Sequence, residues 1–130
     1  MSIVLDTCAL IWWSLDPVKL SDNAKQSCEQ MEKDKCGLVS SISLWEIAIK
    51  IKNKKLDLGV DLDIYLAALK KSDVVRIVPV DEKTWIESVR LEWSHRDPAD
   101  RVVVTLAHSY QASLVTSDKE IRNFYSNVAW

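Results

Sequence analysis

Residues 3–13 read Ile-Val-Leu-Asp-Thr-Cys-Ala-Leu-Ile-Trp-Trp, and this stretch decides the fold. Its first three residues form a short apolar run that ends at Asp6 and Thr7, which is typical of a buried strand. The residues that follow lack the alternation of a strand and favour a helix. The stretch therefore predicts a buried strand that passes directly into a helix, with a carboxylate at the junction.

The same order of apolar run, turn and helical segment recurs along the chain. Further strands are predicted at residues 36–40, 74–80, 114–116 and 128–130. Helices are predicted from a cap at Ser21 to about residue 34, over 43–55, 61–71 and 81–93, from Asp97 onwards, and briefly after Asp118. This alternation predicts a three-layer α/β/α fold with a mainly parallel sheet of four to five strands.

Composition favours one domain over residues 1–130. The chain has 130 residues, 48% of them hydrophobic, which is enough to form a single core without disulfides or a structural metal. Only two glycines and three prolines are present, so no linker interrupts it. We expect the whole sequence to fold as a unit.

The cysteines and the N-terminus indicate a soluble cytoplasmic protein. Cys8, Cys28 and Cys36 are odd in number and lack CxxC spacing, which favours core residues over a disulfide or zinc framework. The acid at position 6 breaks any signal-peptide pattern, and no apolar run approaches the roughly 18 residues that span a bilayer. We expect no association with membranes.

The formal net charge of −2 does not by itself indicate a nucleic-acid partner. The basic residues are nevertheless clustered, at 50–55 and at 95–101, and each cluster is either a local binding face or ordinary solvated surface. The tryptophans are core or interface residues by type, although Trp12, Trp13 and Trp45 are also candidates for stacking on bases.

Four acids are predicted to meet at one edge of the sheet. Asp6 and Asp118 follow strands, and Glu46 and Asp100 are predicted in the first turns of helices. Because loops that leave the carboxyl ends of parallel strands share one edge, we expect these carboxylates to lie close together.

Helix capping is a competing explanation for each acid taken singly. Residues 43–46 and 117–120 both match the Ser-x-x-Glu capping box, and Asp97 before Pro98 is a natural N-cap. The combination is harder to explain by capping. Two carboxylates about 5 to 6 Å apart repel by on the order of 3 kcal/mol at an effective dielectric near 20. A divalent cation with a preference for oxygen ligands, Mg²⁺ or Mn²⁺, reverses that sign and suits phosphate chemistry.

Four segments together resemble one known family, the PIN-domain ribonucleases, and within it the VapC-type toxins of prokaryotic toxin-antitoxin modules. The segments are Ile-Val-Leu-Asp-Thr at 3–7, Ser-Leu-Trp-Glu-Ile at 43–47, His-Arg-Asp-Pro-Ala-Asp-Arg at 95–101, and Leu-Val-Thr-Ser-Asp at 114–118, followed by Tyr125 and Trp130. The likeness covers essentially the whole chain. Ala99 stands where related toxins commonly have Phe, which leaves the acids intact.

The resemblance implies a PIN-like fold and a Mg²⁺- or Mn²⁺-dependent endoribonuclease that acts as a toxin. It implies Asp6, Glu46, Asp100 and Asp118 as the catalytic, metal-binding acids. It also implies an RNA substrate cut to 5′-phosphate and 3′-hydroxyl ends, a cognate antitoxin, and a homodimer or a higher toxin-antitoxin assembly.

Four neighbouring residues are weaker candidates for the same site. Asp97 is read mainly as an N-cap that can also reach metal through water. Thr7 either positions a water or ligand or begins its helix. His95 and Arg101 are candidates for contact with substrate phosphate, and Arg101 is equally well explained by a surface ion pair.

Two other functions remain open at this point. A catalytically silent PIN-like module would bind RNA or a partner without cutting, although all four acids are present. A receiver-like signalling domain is a less good match, because receivers carry adjacent acids after the first strand and this chain carries one there.

Overall fold

A computed structural model describes all 130 residues as a five-stranded sheet with helices on both faces. The elements are β1 (Ile3–Leu5), α1 (Thr7–Leu15), a 3₁₀ turn (Pro17–Lys19), α2 (Asp22–Asp34), β2 (Gly37–Ser40), α3 (Ser41–Lys52), α4 (Leu62–Ser72), β3 (Val75–Val78), α5 (Glu82–Arg90), α6 (Pro98–Ser109), β4 (Ser113–Val115), α7 (Lys119–Phe124) and β5 (Val128–Ala129). The predicted alternation of strands and helices is confirmed. No helix combines the length and the apolarity that crossing a bilayer requires.

All strand pairs are parallel, in the order β3-β2-β1-β4-β5. The first strand is therefore central, with β2 on one side and β4 on the other. The strands that follow β1 along the chain, β2 and β3, lie on one side of it, and β4 and β5 lie on the other. The loops after β1 and β4 therefore lie beside each other. Sites in such sheets form where the strand order reverses.

The central strand divides its side chains between two hydrophobic cores. Leu5 points into the core under α1 and α2, where it joins Leu10 and Met31. Val4 points the other way, into the core that α6 covers with Val102 and its neighbours. This is the period of two that a strand imposes, and it explains why β1 is apolar at every position.

Gly37 shows how closely the layers approach at β2. A Cβ atom there would lie 2.6 Å from Val75 Cγ1 and 2.8 Å from Met31 Sδ. Met31 is fully buried and Val75 nearly so, and a side chain at position 37 would have to displace both. Glycine therefore permits the close packing at the start of this strand.

Several predicted boundaries were wrong, including the ends of α3 at Lys52 and of β3 at Val78, which were predicted at 55 and 80. Helix α3 begins at Ser41 with Ser40 as its N-cap, because β2 passes into the helix without a loop, so Ser43 does not open it. Helix α7 is capped by Asp118 and not by Ser117. Helix α5 ends at Arg90, and residues 91–97 form an irregular connection to α6 where the sequence favoured helix as far as 93.

Candidate active site

A small acidic pocket lies at the carboxyl edge of the sheet, with a volume of about 260 Å³. The structure brings all four predicted acids and Asp97 to it. The lining is completed by Thr7, Cys8, Lys50, Val103 and Ser117. The acids arrive from four separate segments: the end of β1, helix α3, the start of α6 and the start of α7.

Asp6 is the most deeply placed acid, at 8% exposure. One of its oxygens, Oδ1, accepts a hydrogen bond of 2.8 Å from the Ala9 N–H and so caps α1. Burial raises the pKa of Asp6 to about 6, and the nearby charges of Asp100 and Asp118 add to the rise. Hydrogen bonds from the Thr116 side chain and the Ala9 N–H oppose it. The fold therefore holds a carboxylate where negative charge is disfavoured.

The negatively charged form of Asp100 is disfavoured in the same way. Burial raises its pKa to about 6, and the charges of Asp97 and Asp118 contribute. His95 opposes the rise, since its Nε2 lies 2.7 Å from Asp100 Oδ2. The same hydrogen bond raises the pKa of His95, because it favours the protonated imidazole.

Capping and the acidic pocket are not alternatives for Asp97 and Asp118. Asp97 Oδ1 accepts from the Asp100 N–H at 3.0 Å, and Asp118 Oδ1 accepts from the Glu120 N–H at 2.8 Å. In each carboxylate Oδ2 has no hydrogen-bond partner within the chain. One oxygen therefore orients the side chain against a helix terminus, and the other is free to face the pocket.

Glu46 is held differently, by the hydroxyl of Thr7. It lies in the second turn of α3, so both its predicted first-turn position and the capping-box interpretation were wrong. Thr7 is hydrogen-bonded to Glu46 and lies 2.9 Å from the Ser43 hydroxyl. Because a carboxylate only accepts and a hydroxyl has one proton, Thr7 donates to Glu46 and Ser43 donates to Thr7. Thr7 thus joins α1 to α3 and positions Glu46.

Arg101 has a structural role that the sequence did not indicate. Its guanidinium donates to five backbone carbonyls at 2.6 to 3.3 Å, those of Ser88, Val89, Leu91, Trp93 and His95. Its donors are engaged within the chain and it forms no ion pair, so the surface-ion-pair interpretation is wrong. The predicted phosphate contact stays a prediction, and these five hydrogen bonds argue against it. Two of the five carbonyls lie in the last turn of α5 and three in the connection that follows. A backbone carbonyl carries no sequence signal, so only the fold reveals this clamp.

His95 is positioned by the same clamp. Arg101 donates a hydrogen bond of 2.8 Å to the His95 carbonyl, and the imidazole packs against Trp93 with ring centroids 4.8 Å apart. Its side chain is 22% exposed and is directed at Asp100. The geometry makes His95 a partner of Asp100, and its contact with substrate stays a prediction.

Four lining residues were missed as site residues: Cys8, Lys50, Val103 and Ser117. Lys50 was grouped only with the basic cluster, yet it lines the acidic pocket from the last turn of α3. Cys8 lies beside it, and burial followed by the charge of Asp6 raises the pKa of its thiol. A protonated thiol is a poor nucleophile and a poor metal ligand. Glu46 and Lys50 are four residues apart on one helix, and this spacing could have indicated that both side chains lie on the same face.

The donor chemistry of the pocket suits a hard divalent cation. The available ligands are carboxylate and hydroxyl oxygens, which Mg²⁺ and Mn²⁺ prefer. Burial raises the pKa of both Asp6 and Asp100 to about 6, so a bound cation would favour their charged forms. No three of the Asp, Glu, His or Cys side chains of the chain lie close enough together to hold an ion as they stand. The acids surround the pocket, and ion binding requires their side chains to turn inward.

Known proteins share both the sequence and the fold. The PIN domain profile matches residues 3–127. Ribonuclease VapC22 of Mycobacterium tuberculosis is 29% identical over 123 residues, which cover 94% of this chain and 91% of that protein. A toxin-antitoxin complex from Klebsiella pneumoniae superimposes with a TM-score of 0.66 at 19% identity, covering 99% of this chain and 97% of the other.

A second solved structure has the same fold over nearly its whole length. VapBC2 from Rickettsia felis, bound to a DNA fragment from its promoter, superimposes with a TM-score of 0.66 at 22% identity, covering 99% of this chain and 96% of that chain. At this identity the likeness establishes the fold, and the three-layer PIN-like architecture predicted from the sequence is confirmed. Since the profile spans nearly the full length, the chain belongs to the PIN domain family.

Proposed function

We propose that this chain is a metal-dependent endoribonuclease and the toxin of a toxin-antitoxin module. The observation that carries the proposal is the acidic pocket, where five carboxylates from four segments line about 260 Å³ and two of them have a pKa raised to about 6. Support comes from a relative named a ribonuclease and from a structural neighbour that is a toxin-antitoxin complex.

The proposed cofactor is Mg²⁺ or Mn²⁺, held by Asp6, Asp100 and Asp118 with Glu46. When bound, such an ion supplies charge neutralisation for a phosphodiester and lowers the pKa of a water molecule. The free Oδ2 atoms of Asp97 and Asp118 fit this assignment, with Asp97 as an accessory acid. The affinity for the ion should rise as Asp6 and Asp100 lose their protons.

The chain's own residues have separable tasks in this scheme. Thr7 fixes the carboxylate of Glu46, and His95 fixes that of Asp100. Preorganisation of this kind matters because groups placed before the reaction need no rearrangement during it. Lys50 is the cation among the lining residues and is the side chain suited to meet a substrate phosphate.

Protein partners are part of the proposal. A cognate antitoxin is expected, as in the neighbouring complexes, and the apolar face of α3 and α5 fits pairing of two copies. Trp45 and Trp85 are 57% and 45% exposed there, and Ile86 and Val89 lie beside them on α5. Exposed apolar patches of this kind mark protein contacts.

The free cysteines are consistent with a cytoplasmic location.

Controlled expression followed by sequencing of cellular RNA ends tests the proposal. We expect growth arrest and new 5′-phosphate ends with the natural chain, and neither with Asp100→Asn at equal soluble yield and equal circular dichroism. New ends that are equally abundant with Asp100→Asn would reject the acidic pocket as the nuclease centre.

A catalytically silent PIN-like module is the remaining alternative, and the lack of a preassembled ion site favours it. Calorimetric titration with Mn²⁺ distinguishes the two. The nuclease proposal requires saturable binding that Asp6→Asn weakens, whereas a silent module requires none. The receiver-like alternative is set aside, because the chain belongs to the PIN domain family and Glu46 lies inside a helix.

A further inference from the structure

A second groove adjoins the acidic pocket and has a different chemistry. It has a volume of about 660 Å³ and runs between α1 and the segment that follows α3. Cys8 and Lys50 line both the acidic pocket and this groove, so the two adjoin at these residues. We call it the lysine groove, after Lys19, Lys50 and Lys55 on its walls.

Charge changes sign between the pocket and the lysine groove. The pocket has five carboxylates and one lysine, whereas the groove has three lysines and two aspartates, Asp16 and Asp57. The ion pair of Asp16 with Lys19 Nζ, at 3.8 Å, is exposed and weak enough for a phosphate to compete with it, and Asp57 Oδ1 accepts from the Gly59 N–H at 2.8 Å. A polyanion that extends from the acidic pocket into the groove therefore meets a favourable charge.

The floor of the lysine groove is apolar and contains an aromatic ring. Ile11, Leu56 and Leu58 contribute aliphatic surface, and Trp12 contributes a half-buried indole. The indole packs against Trp130 with ring centroids 5.7 Å apart, which fixes its plane. Lysines beside a fixed aromatic ring are the combination that binds single strands, because phosphates pair with the ammonium groups and bases stack on the ring.

We propose that the lysine groove binds the single-stranded RNA segment next to the phosphate that is cleaved. Lys19 and Lys55 contact backbone phosphates, Lys50 contacts the phosphate at the boundary with the acidic pocket, and Trp12 stacks on an unpaired base. This inference rests on the proposed nuclease function, since the ligand of the groove is the substrate of the pocket. A paired base would hide the face that Trp12 needs, so the groove selects unpaired RNA.

The cleft at the opposite edge of the sheet provides the matched control. It also has two lysines, Lys35 and Lys70, but it shares no lining residue with the acidic pocket. The double variants Lys19→Gln/Lys55→Gln and Lys35→Gln/Lys70→Gln remove equal charge from surface positions. A difference between them therefore reports the location of binding and not the net charge.

The experiment measures binding of a labelled single-stranded RNA oligonucleotide to the Asp100→Asn chain by fluorescence anisotropy at several salt concentrations. We expect Lys19→Gln/Lys55→Gln to raise Kd about tenfold and to lower the slope of log Kd against log salt by about 1.4, since each phosphate contact on a single strand contributes about 0.7. Lys35→Gln/Lys70→Gln should change Kd by less than about twofold. Trp12→Leu should weaken binding by roughly fivefold or more without changing the slope.

Equal binding by the two double variants would overturn the inference. So would a result in which the groove variant loses only a protein partner, because the groove would then be a protein-docking site. The binding assay does not depend on cleavage, so the two proposals fail separately. A chain that binds RNA through the groove but never cuts it would refute the nuclease proposal alone. A nuclease whose KM for the oligonucleotide is unaffected by Lys19→Gln/Lys55→Gln would refute the groove alone.

Discussion

The two edges of the sheet are built from the same strands, but they differ in the charge and in the burial of their side chains. The carboxyl edge carries the acidic pocket of about 260 Å³. The amino edge carries a cleft of about 540 Å³ whose charged side chains are Lys35, Lys70, Asp73 and Arg76. The cleft at the amino edge is the larger of the two, but its charged side chains are of both signs. The volume of a cavity therefore does not identify the functional site.

Helix polarity accounts for the sign of the charge at each edge. Helices α1, α6 and α7 begin at the carboxyl edge, and each has an aspartate as its N-cap. Helices α2 and α4 end at the amino edge, with Lys35 at the end of α2 and Lys70 in the last turn of α4. Helix dipoles favour acids at N-termini and bases at C-termini. A doubly wound sheet therefore sorts charge between its edges before any function is considered.

Burial is what distinguishes the two edges functionally. Asp6 is 8% exposed at the carboxyl edge, whereas the Asp73 side chain at the amino edge is 83% exposed and lies 3.8 Å from Lys35. An exposed ion pair contributes about 0 to 1 kcal/mol, and solvent screens it. Buried acids of like charge lack that screening and need a cation.

The largest expected effect is on cleavage. Asp6→Asn should reduce the rate constant for RNA cleavage at least about a thousandfold, because the loss of metal-borne charge stabilisation costs several kcal/mol. Asp73→Asn removes one acid from the other edge, where Asp73 has a φ of 59° that asparagine also tolerates. Its rate should equal that of the natural chain. Comparable losses in both variants would mean that the edges are not functionally distinct.

The second effect is on stability and compares two arginines. Arg101→Met removes five hydrogen bonds to backbone carbonyls, of which that of Leu91 keeps the Trp93 N–H as a donor, and should lower the free energy of unfolding by about 2 to 4 kcal/mol. Arg76→Met removes a single hydrogen bond to Tyr110 at the exposed amino edge and should cost less than about 1 kcal/mol. Urea unfolding measures both variants. A small loss for Arg101→Met would show that water replaces the clamp.

The third effect is on the pH dependence of stability without metal. Folding raises the pKa of Asp6 from 3.8 to about 6, so the folded state binds more protons across that range. The free energy of unfolding should therefore fall as pH rises from about 4 to 6, by on the order of 2 to 3 kcal/mol for this group. Asp100 acts in the same direction, as does His95 at higher pH, because its raised pKa stabilises the fold only while it is protonated.

Metal should reverse this third trend. Mn²⁺ competes with protons for the carboxylates, so its stabilisation grows over the same pH window. Thermal unfolding at each pH, with and without Mn²⁺, measures both slopes, and Asp6→Asn should flatten them. A metal-free chain whose stability increases between pH 4 and 6 would contradict the assigned burial of Asp6.

The smallest effect separates the two roles of Asp97. Asp97→Ser keeps an oxygen that caps α6, whereas Asp97→Ala removes the cap and should cost about 1 kcal/mol of unfolding free energy. If Asp97 also contributes charge to the pocket, both variants should lose cleavage equally, by less than about tenfold. Full activity in Asp97→Ser would restrict this residue to capping.

Local chemistry made much of the fold and the acidic pocket predictable. An apolar run ended by Asp6 and Thr7 predicts a buried strand, and repeated alternation predicts a parallel sheet. Because the carboxyl ends of parallel strands share an edge, the neighbourhood of the four acids followed from order alone. The N-caps at Ser21 and Asp97 were also visible, since capping depends on neighbours along the chain.

Contacts between distant segments were decided only by the tertiary structure. The sequence gives no sign that Arg101 donates to five carbonyls at and beyond the end of α5, that Thr7 fixes Glu46, or that Lys50 lies between the acidic pocket and the lysine groove. A cap or a strand end is a local property, whereas burial and orientation depend on which elements pack together. The sequence therefore determined which residues reach the carboxyl edge, and packing determined their depth, their partners and the pKa of each buried acid.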